Sequence, residues 1–282
     1  MIKSEGGVYI QLFIVGFLMT DDNGKLWVEH EGEGPLFATA IHAGHQIRRQ
    51  LLPIIALDDT ERSREEDPYT DYLAKVVPTW LVPTRSRFEV DLNRPRGEAI
   101  YSAPELAWGQ HVWKHPPDRR LIETSLAEYD AFYAELKKLL DRMVEHHQRF
   151  VVFDLHTYNY RREGADEPPA DPSLNPDVNI GTGSLDRDRW GKLVDRFMDD
   201  LTAFDFCGRH LDVRENVKFK GRELAQWIHT HFSESAAVLS IEFKKFFMDE
   251  WTGVGEIEQI ESIRDALQST IPGILDELQQ VP

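Results

Sequence analysis

Four short apolar runs alternate along the chain with long amphipathic segments, and this pattern is what most constrains the fold. Within each run the hydrophobicity is nearly continuous, which indicates strands that are buried on both faces of a sheet. Strands separated by helices predict an α/β fold, with a central mixed, mostly parallel twisted sheet flanked by helices on both faces. The runs are Val8–Phe17, Leu36–Ile41, Phe150–Leu155 and Ala236–Phe243.

Amphipathic helices are predicted between these strands. The clearest begins at Ser125, which is placed to form a capping box with Glu128, and its apolar stripe ends near His146 and His147. Pro272 is expected to kink or divide the last helix of the chain. The remaining helices are predicted at Arg187–Phe204, Gly221–Phe232 and Glu256–Gln280.

Two polar segments, Asp58–Thr70 and Glu163–Asn179, show no helical or strand periodicity. Both are rich in Asp, Glu, Arg and Pro, a composition that is typical of loops. We therefore predict two long loops, and loops of this kind often border the active site of an α/β enzyme.

Size and charge limit the classes of function. A chain of 282 residues that is 41% hydrophobic can bury a substantial core, and we predict a single domain over residues 1–282. The net charge of −17 repels polyanions, so neither nucleic acid nor an anionic membrane is an expected partner. The single cysteine excludes an internal disulfide. With no clear leader or membrane-spanning segment in the sequence, a cytoplasmic location is expected. The sequence does not indicate an oligomeric state.

Three histidines are placed to bind a metal ion. His42 and His45 follow one apolar run, and His156 comes directly after another. A catalytic zinc site uses three protein ligands and keeps one position for water, and strand ends of an α/β sheet converge on one site. The pair of histidines alone is a weak signal among eleven histidines, but together with His156 and the segments described next it becomes a strong indication of a zinc site.

An anion-binding pair and a candidate base accompany the histidines. The guanidinium of Arg94 can bind a carboxylate through two hydrogen bonds, and Asn93 adds a neutral donor, although a surface ion-pair cluster is the simpler alternative. Glu242 ends a buried apolar run. Such a carboxylate either pairs with Lys244 or Lys245, or acts as a general base on water. Its occurrence together with the histidines and the Asn-Arg pair favours the general base.

The order of these segments resembles the zinc carboxypeptidase superfamily and, within it, the N-formylglutamate amidohydrolase family. The resemblance implies an α/β fold, one zinc ion, and cleavage of an amide between an acyl group and an acidic amino acid. His45 departs from the superfamily, which has Glu at that position, and three imidazoles would also accept Fe, Co or Ni. The segments that carry the likeness are Phe88–Arg96, Asp154–Tyr158, Asn179–Gly183, Arg214–Gly221 and Glu242–Trp251.

The leading hypothesis is a zinc-dependent amidohydrolase that cleaves the N-acyl, formyl-type amide of a carboxylate-bearing amino acid such as N-formylglutamate. A small N-acyl amino acid or a short peptide is then the expected partner. Two alternatives stay open, namely a metallocarboxypeptidase or other N-acyl amino acid deacylase, and a non-catalytic metal-dependent binding protein. The expected roles are zinc binding by His42, His45 and His156, proton transfer by Glu242, oxyanion stabilisation by Arg87, and carboxylate binding by Asn93, Arg94, Arg161 and Arg162.

Overall fold

A seven-stranded mixed sheet forms the centre of the computed structural model, which describes residues 25–281. The strands are β1 Trp27–His30, β2 Leu36–Thr39, β3 Thr79–Pro83, β4 Phe150–Tyr158, β5 Val178–Gly181, β6 Val213–Glu215 and β7 Ala236–Lys244. The spatial order is β1-β3-β2-β4-β7-β5-β6; β1 is antiparallel to β3 and β5 to β7, and all other pairs are parallel. The predicted mixed, mostly parallel sheet is confirmed, while the predicted strand Val8–Phe17 lies outside the described residues.

Helices cover both faces of this sheet, as predicted. The helices are α1 Asp59–Glu65, α2 Thr70–Leu73, α3 Arg119–His147, α4 Arg187–Ala203, α5 Glu223–His231 and α6 Ile257–Leu278. One apolar cluster joins α4 and α6 to one face, and a second joins α3 and α5 to the other. No helix within residues 25–281 is both long enough and apolar enough to cross a lipid bilayer.

The alternation of side chains along β4 determines where the polar end of this strand points. Phe153 and Leu155 pack with α4 and α6, whereas Phe150 and Val152 pack with α3 and α5. Because successive side chains of a strand point to opposite faces, His156 follows Val152 toward the α3 side. The same alternation in the neighbouring strand β7 places Glu242 on that side, and the two residues are register partners.

The start of α3 differs from the prediction. The helix begins at Arg119, and its N-cap is Asp118, whose carboxylate accepts a hydrogen bond from the amide of Leu121. Ser125 is therefore an internal helical residue. It is buried, and its hydroxyl accepts a hydrogen bond from Arg48 at 2.9 Å. The serine that resembles an N-cap in the sequence therefore makes a tertiary contact from within the helix.

The segment Asp58–Thr70 is not the continuous loop that we predicted. Asp58 and Glu61 form a capping box that starts α1, and α2 begins at Thr70. The seven residues of α1 are mostly charged and have no apolar stripe, so periodicity could not reveal the helix. The second predicted loop, Glu163–Asn179, is largely irregular until β5 begins.

The last helix, α6, continues through Pro272 and is not divided there. It packs against α4, and the contact is close at Gly273. A Cβ atom at that glycine would overlap the side chains of Arg196 and Asp200. The absence of a side chain beside the proline therefore allows the two helices to approach each other.

A partly buried histidine connects α5 to β7. The Nε2 atom of His229 accepts a hydrogen bond from the amide of Val238 at 3.0 Å, and its Nδ1 lies 2.8 Å from the Ser184 hydroxyl. An accepting Nε2 requires the neutral ring with its proton on Nδ1. Burial lowers the pKa of His229 to about 4.

We expect this histidine to make the protein less stable in mild acid. The unfolded chain takes up a proton near pH 6.5, whereas the folded chain takes it up only near pH 4, so the stabilisation is complete above pH 6.5 and is lost as the pH falls toward 4. Between about pH 7 and pH 5, the wild type should lose roughly 2 kcal/mol more unfolding free energy than His229→Gln. Urea unfolding of both proteins at both pH values measures this difference, and identical losses would contradict the assignment.

Candidate active site

A cavity of about 360 Å³ opens where the parallel strands β2, β4 and β7 end. His42 follows β2, while His156 and Glu242 lie near the ends of the other two strands, and all three side chains line the cavity. Open α/β sheets place their ligands at the carboxyl ends of their strands, and this cavity has that position. Its cationic lining residues are Arg87, Arg94, Arg162, Arg222 and Lys245.

Two of the predicted ligands meet a carboxylate that the sequence analysis did not single out. Asp67 Oδ2 lies 3.0 Å from His156 Nδ1 and 3.4 Å from His42 Nδ1. All three residues are buried, and their donor atoms lie within 4.8 Å of one another. The hydroxyl of Thr157 donates a hydrogen bond to the other oxygen of Asp67. The group His42, Asp67 and His156 could therefore hold a metal ion.

Each of these two imidazoles contacts a second buried carboxylate through its other ring nitrogen, Nε2. His42 Nε2 lies 2.8 Å from Asp91 Oδ1, and His156 Nε2 lies 2.9 Å from Asp154 Oδ1. When Nε2 carries the ring proton and donates it to the carboxylate, Nδ1 retains a lone pair that faces Asp67. Metal-binding histidines usually have such a carboxylate on their outer nitrogen. The surroundings of the group therefore fit a metal ion.

The electrostatics of the group favour a positive charge between the imidazoles. Burial alone would raise the pKa of Asp67, but its hydrogen bonds to His156 and His42 hold it well below the usual range. Burial would likewise lower the pKa of His156, but the charge of Asp154 and the hydrogen bonds to both aspartates raise it far above its ordinary value. The same carboxylates would attract a cation bound between the imidazoles.

Asp91 connects this group to the arginines of the cavity. Besides His42, it accepts hydrogen bonds from Arg87 at 3.0 Å, Arg94 at 3.3 Å and the Tyr101 hydroxyl. Burial would raise the pKa of Asp91, but the charges of Arg87 and His42 hold it well below its usual range. One carboxylate thus fixes an imidazole and two guanidinium groups.

His45 lies outside the group of three donors. Its Nδ1 atom lies 2.5 Å from Glu66 Oε2, and its Nε2 lies 3.3 Å from an Arg62 nitrogen. The glycine before it has a packing role, because a Cβ atom at Gly44 would overlap the backbone of Thr84 and Arg85. The structure thus places Asp67 beside His42 and His156, at the position where we expected His45.

Glu242 is partly exposed and lines the cavity beside His156. Burial raises the pKa of Glu242 to about 7, and the opposing attraction of His156 is weaker. Neither neighbouring lysine pairs with it. Lys244 forms an ion pair with Asp177 at 2.8 Å, and the ammonium group of Lys245 donates to two backbone carbonyl oxygens. The alternative in which these lysines neutralise the carboxylate is not observed.

The predicted anion-binding residues fall into two sets. Arg87, Asn93, Arg94 and Arg162 line the cavity, whereas Arg161 does not. The side chain of Arg161 donates to the carbonyl oxygen of Glu167.

Arg162 is largely neutralised, because it makes two hydrogen bonds to Glu65 at 3.1 and 3.0 Å. Arg222, which sequence analysis missed, also lines the cavity. Of the cavity arginines in residues 25–281, it is the one whose side chain has no hydrogen bond or ion pair.

One sequence signal could have identified the missed carboxylate. Glu65, Glu66 and Asp67 are three successive acids before a proline, and each is almost fully buried. Buried acids need partners, and these have Arg162, His45 and the two site imidazoles respectively. A run of acids inside a segment that borders an active site therefore indicates specific pairing.

Comparisons with known proteins find a matching family model and several similar structures. A family model described as N-formylglutamate amidohydrolase matches residues 34–247, which is more than half of the chain. The chain is similar to the crystal structure of an N-formylglutamate amidohydrolase from Ralstonia eutropha, with 18% identity over 90% of this chain and 99% of the other, and a TM-score of 0.72.

Two further solved structures are similar. A gene product from Agrobacterium tumefaciens has 15% identity over 92% of this chain and 98% of its own, with a TM-score of 0.66. A metallocarboxypeptidase from Burkholderia cenocepacia has 14% identity over 86% of this chain and 56% of its own, with a TM-score of 0.38. A comparison with curated protein sequences gave no match.

The position of Asp67 yields a prediction about metal binding. Asp67→Asn keeps the shape of the side chain but removes its charge, so we expect zinc affinity to fall by more than about 100-fold, given that loss of an outer partner alone costs about 10- to 100-fold. His45→Gln is the matched control and should bind zinc nearly as the wild type does. Titration of both variants against a competing chelator measures the affinities. Zinc loss in His45→Gln with normal binding in Asp67→Asn would reverse the assignment.

Proposed function

The chain belongs to the N-formylglutamate amidohydrolase family and is a hydrolase of an amide bond, and from this premise we propose that it is a zinc-dependent enzyme acting on N-formylglutamate or a close N-acyl analogue. The products would be glutamate and formate. The single observation that carries the proposal is the group His42, Asp67 and His156, in which both imidazoles are held from behind by buried carboxylates.

The zinc ligands in this proposal are His42, Asp67 and His156. Two imidazoles and one carboxylate are an established ligand set of catalytic zinc sites, and it leaves a coordination position open. When bound, a zinc ion would polarise the amide carbonyl and lower the pKa of a water molecule. Asp91 and Asp154 keep the two imidazoles oriented for this role.

Glu242 is the proposed general base. It lies beside His156 in the cavity, and no lysine neutralises it. Its raised pKa, about 7, lies in the range where a carboxylate can both accept and return a proton near neutral pH. It would take a proton from the attacking water and pass it to the nitrogen of the departing amino acid as the carbon–nitrogen bond breaks.

Arg87 is placed to stabilise the negative charge that develops on the carbonyl oxygen. Its guanidinium is fixed by Asp91, by the Tyr101 hydroxyl and by the carbonyl oxygen of Glu65, so it needs no reorganisation during the reaction. These three bonds use three of its five donor hydrogens, and the group lines the cavity. The remaining donors can face the substrate.

Two sets of donors match the two carboxylates of N-formylglutamate. Asn93 and Arg94 would bind the α-carboxylate. The carbonyl oxygen of the Asn93 side chain already accepts the amide of Leu224 at 3.2 Å, which leaves its NH₂ group as a donor. We assign the side-chain carboxylate to Arg222, because Arg162 is paired with Glu65 and Arg161 lies away from the cavity.

The local charge of the cavity is compatible with a dicarboxylate despite the net charge of −17. Five cationic side chains line the cavity against four acidic ones, and a divalent ion would add to the positive side. Potential inside a cleft depends on its own lining more than on the net charge of the protein.

Removal of the proposed base should abolish most turnover without affecting metal binding. In Glu242→Gln we expect kcat for N-formylglutamate to fall by about 100- to 10,000-fold, which is the usual contribution of a general base. Formate release by the zinc-loaded protein measures the rate, and elemental analysis checks its zinc content.

Glu105→Gln is the matched control, because Glu105 also lines the cavity but lies outside the proposed machinery. Its kcat should stay within about twofold of the wild type, since Glu105 is exposed and has no part in the proposed proton transfer. A zinc-loaded Glu242→Gln with normal turnover would exclude Glu242 as the base. Absence of turnover in the zinc-loaded wild type would reject N-formylglutamate as the substrate.

The assignment of Arg222 can be tested with a pair of substrates. Arg222→Gln should lower kcat/KM for N-formylglutamate by about 10- to 100-fold, because a hydrogen bond between charged groups contributes about 1.5–3 kcal/mol. N-formylglutamine lacks the side-chain charge, so its kcat/KM should change much less. Arg161→Gln serves as the control and should leave both values unchanged. Equal losses for both substrates in Arg222→Gln would contradict carboxylate recognition by this arginine.

A further inference from the structure

Lys245 is a buried cation at the edge of the cavity for which the proposed reaction has no use. It follows β7 directly, lines the cavity and is only 1% exposed. Its ammonium group donates to the carbonyl oxygen of Arg64 at 2.6 Å and to that of Glu66 at 2.8 Å. Burial of an ammonium is costly unless its protons are accepted, so these two bonds largely determine where the group can lie.

The two accepting carbonyl groups lie where α1 ends. The last carbonyl groups of a helix have no partner within the helix, and here side chains from distant parts of the chain supply the partners. Asn159 also donates to the Arg64 carbonyl at 2.8 Å, and Arg87 donates to that of Glu65 at 3.2 Å. Cations are also favoured at this end by the helix dipole. The end of α1 is thus fixed to the ends of β4 and β7.

Asp67 comes next in the chain after the fixed residues. Its amide donates to the carbonyl oxygen of His42 at 2.9 Å, which secures the same peptide segment from the other side. The carbonyl of Glu66 and the amide of Asp67 belong to the same peptide group, and both are hydrogen-bonded. The backbone at Asp67 therefore has little freedom. Its carboxylate is therefore presented toward His42 and His156.

We infer, on the basis of the metal centre in the proposed function, that Lys245 is a positioning residue that holds Asp67 in place as a metal ligand. The residue does not touch the metal or the substrate in this role, and it acts through the backbone of residues 64–66. Glu242 lies three residues earlier, near the end of β7, so this part of the chain would position both the base and a ligand.

The test compares two adjacent lysines by their effect on zinc affinity, which requires no substrate. Lys245→Met keeps the length of the side chain but removes the ammonium, and we expect the zinc dissociation constant to rise about 10- to 100-fold, as for other residues that orient a ligand. Lys244→Met is the matched control. The Lys244 ammonium binds Asp177 and the carbonyl oxygen of Asn175, away from α1, so its zinc affinity should stay within about twofold of the wild type.

A second comparison separates positioning from a general loss of structure. In an Asp67→Asn background, Lys245→Met should change the remaining zinc affinity by less than about threefold, because the lysine acts through Asp67. An equal loss in both backgrounds would overturn the inference. So would a folded Lys245→Met that binds zinc within about twofold of the wild type.

If Lys245→Met does not fold, as judged by circular dichroism, Lys245→Gln replaces it. The amide keeps two donors but loses the charge, and zinc affinity should fall several-fold; unchanged affinity would again overturn the inference. A wild type that binds no zinc would reject the proposed metal centre itself, whereas zinc binding that is insensitive to Lys245 would reject only the positioning role.

Discussion

The site depends on the pairing of two buried histidines with carboxylates on their outer nitrogens. Asp91 and Asp154 bind Nε2 of His42 and His156 at 2.8 and 2.9 Å, which turns both Nδ1 atoms toward Asp67. Without these pairs, a buried imidazole could rotate or exchange its proton between the two nitrogens. The strand ends bring the two imidazole rings together, but the carboxylates determine which ring nitrogens are available to a metal ion.

In the proposed function, the same pairing would link metal binding to substrate binding. Asp91 accepts hydrogen bonds from Arg87 and Arg94 as well as from His42, so a single buried charge sets the distance between the metal group and the arginines. A carboxylate buried without these donors would carry a large desolvation cost. Asp91 and Arg94 are three residues apart, so a single turn of the chain places the guanidinium beside the carboxylate.

The sequence identified site residues that lie near the ends of buried strands. It did not identify site residues whose positions depend on contacts between distant parts of the chain. His156 and Glu242 could be identified because each is a polar residue near the end of a continuous apolar strand. Asp67 was missed, because the neighbouring α1 has no apolar stripe and the position of this carboxylate arises from contacts with residues far away in the chain. Only the run of three acids that ends at Asp67 marks it in the sequence. For the same reason Arg161, close to His156 in sequence, lies away from the cavity, while the distant Arg222 lines it.

Anomalous X-ray diffraction from zinc-soaked crystals would locate a bound metal ion directly. We predict one zinc peak bonded to the Nδ1 atoms of His42 and His156 and to the carboxylate of Asp67, with Nε2 of each imidazole still bound to its aspartate. A zinc ion coordinated by His45 in place of Asp67, or no zinc at this position in crystals that hold zinc elsewhere, would contradict the account.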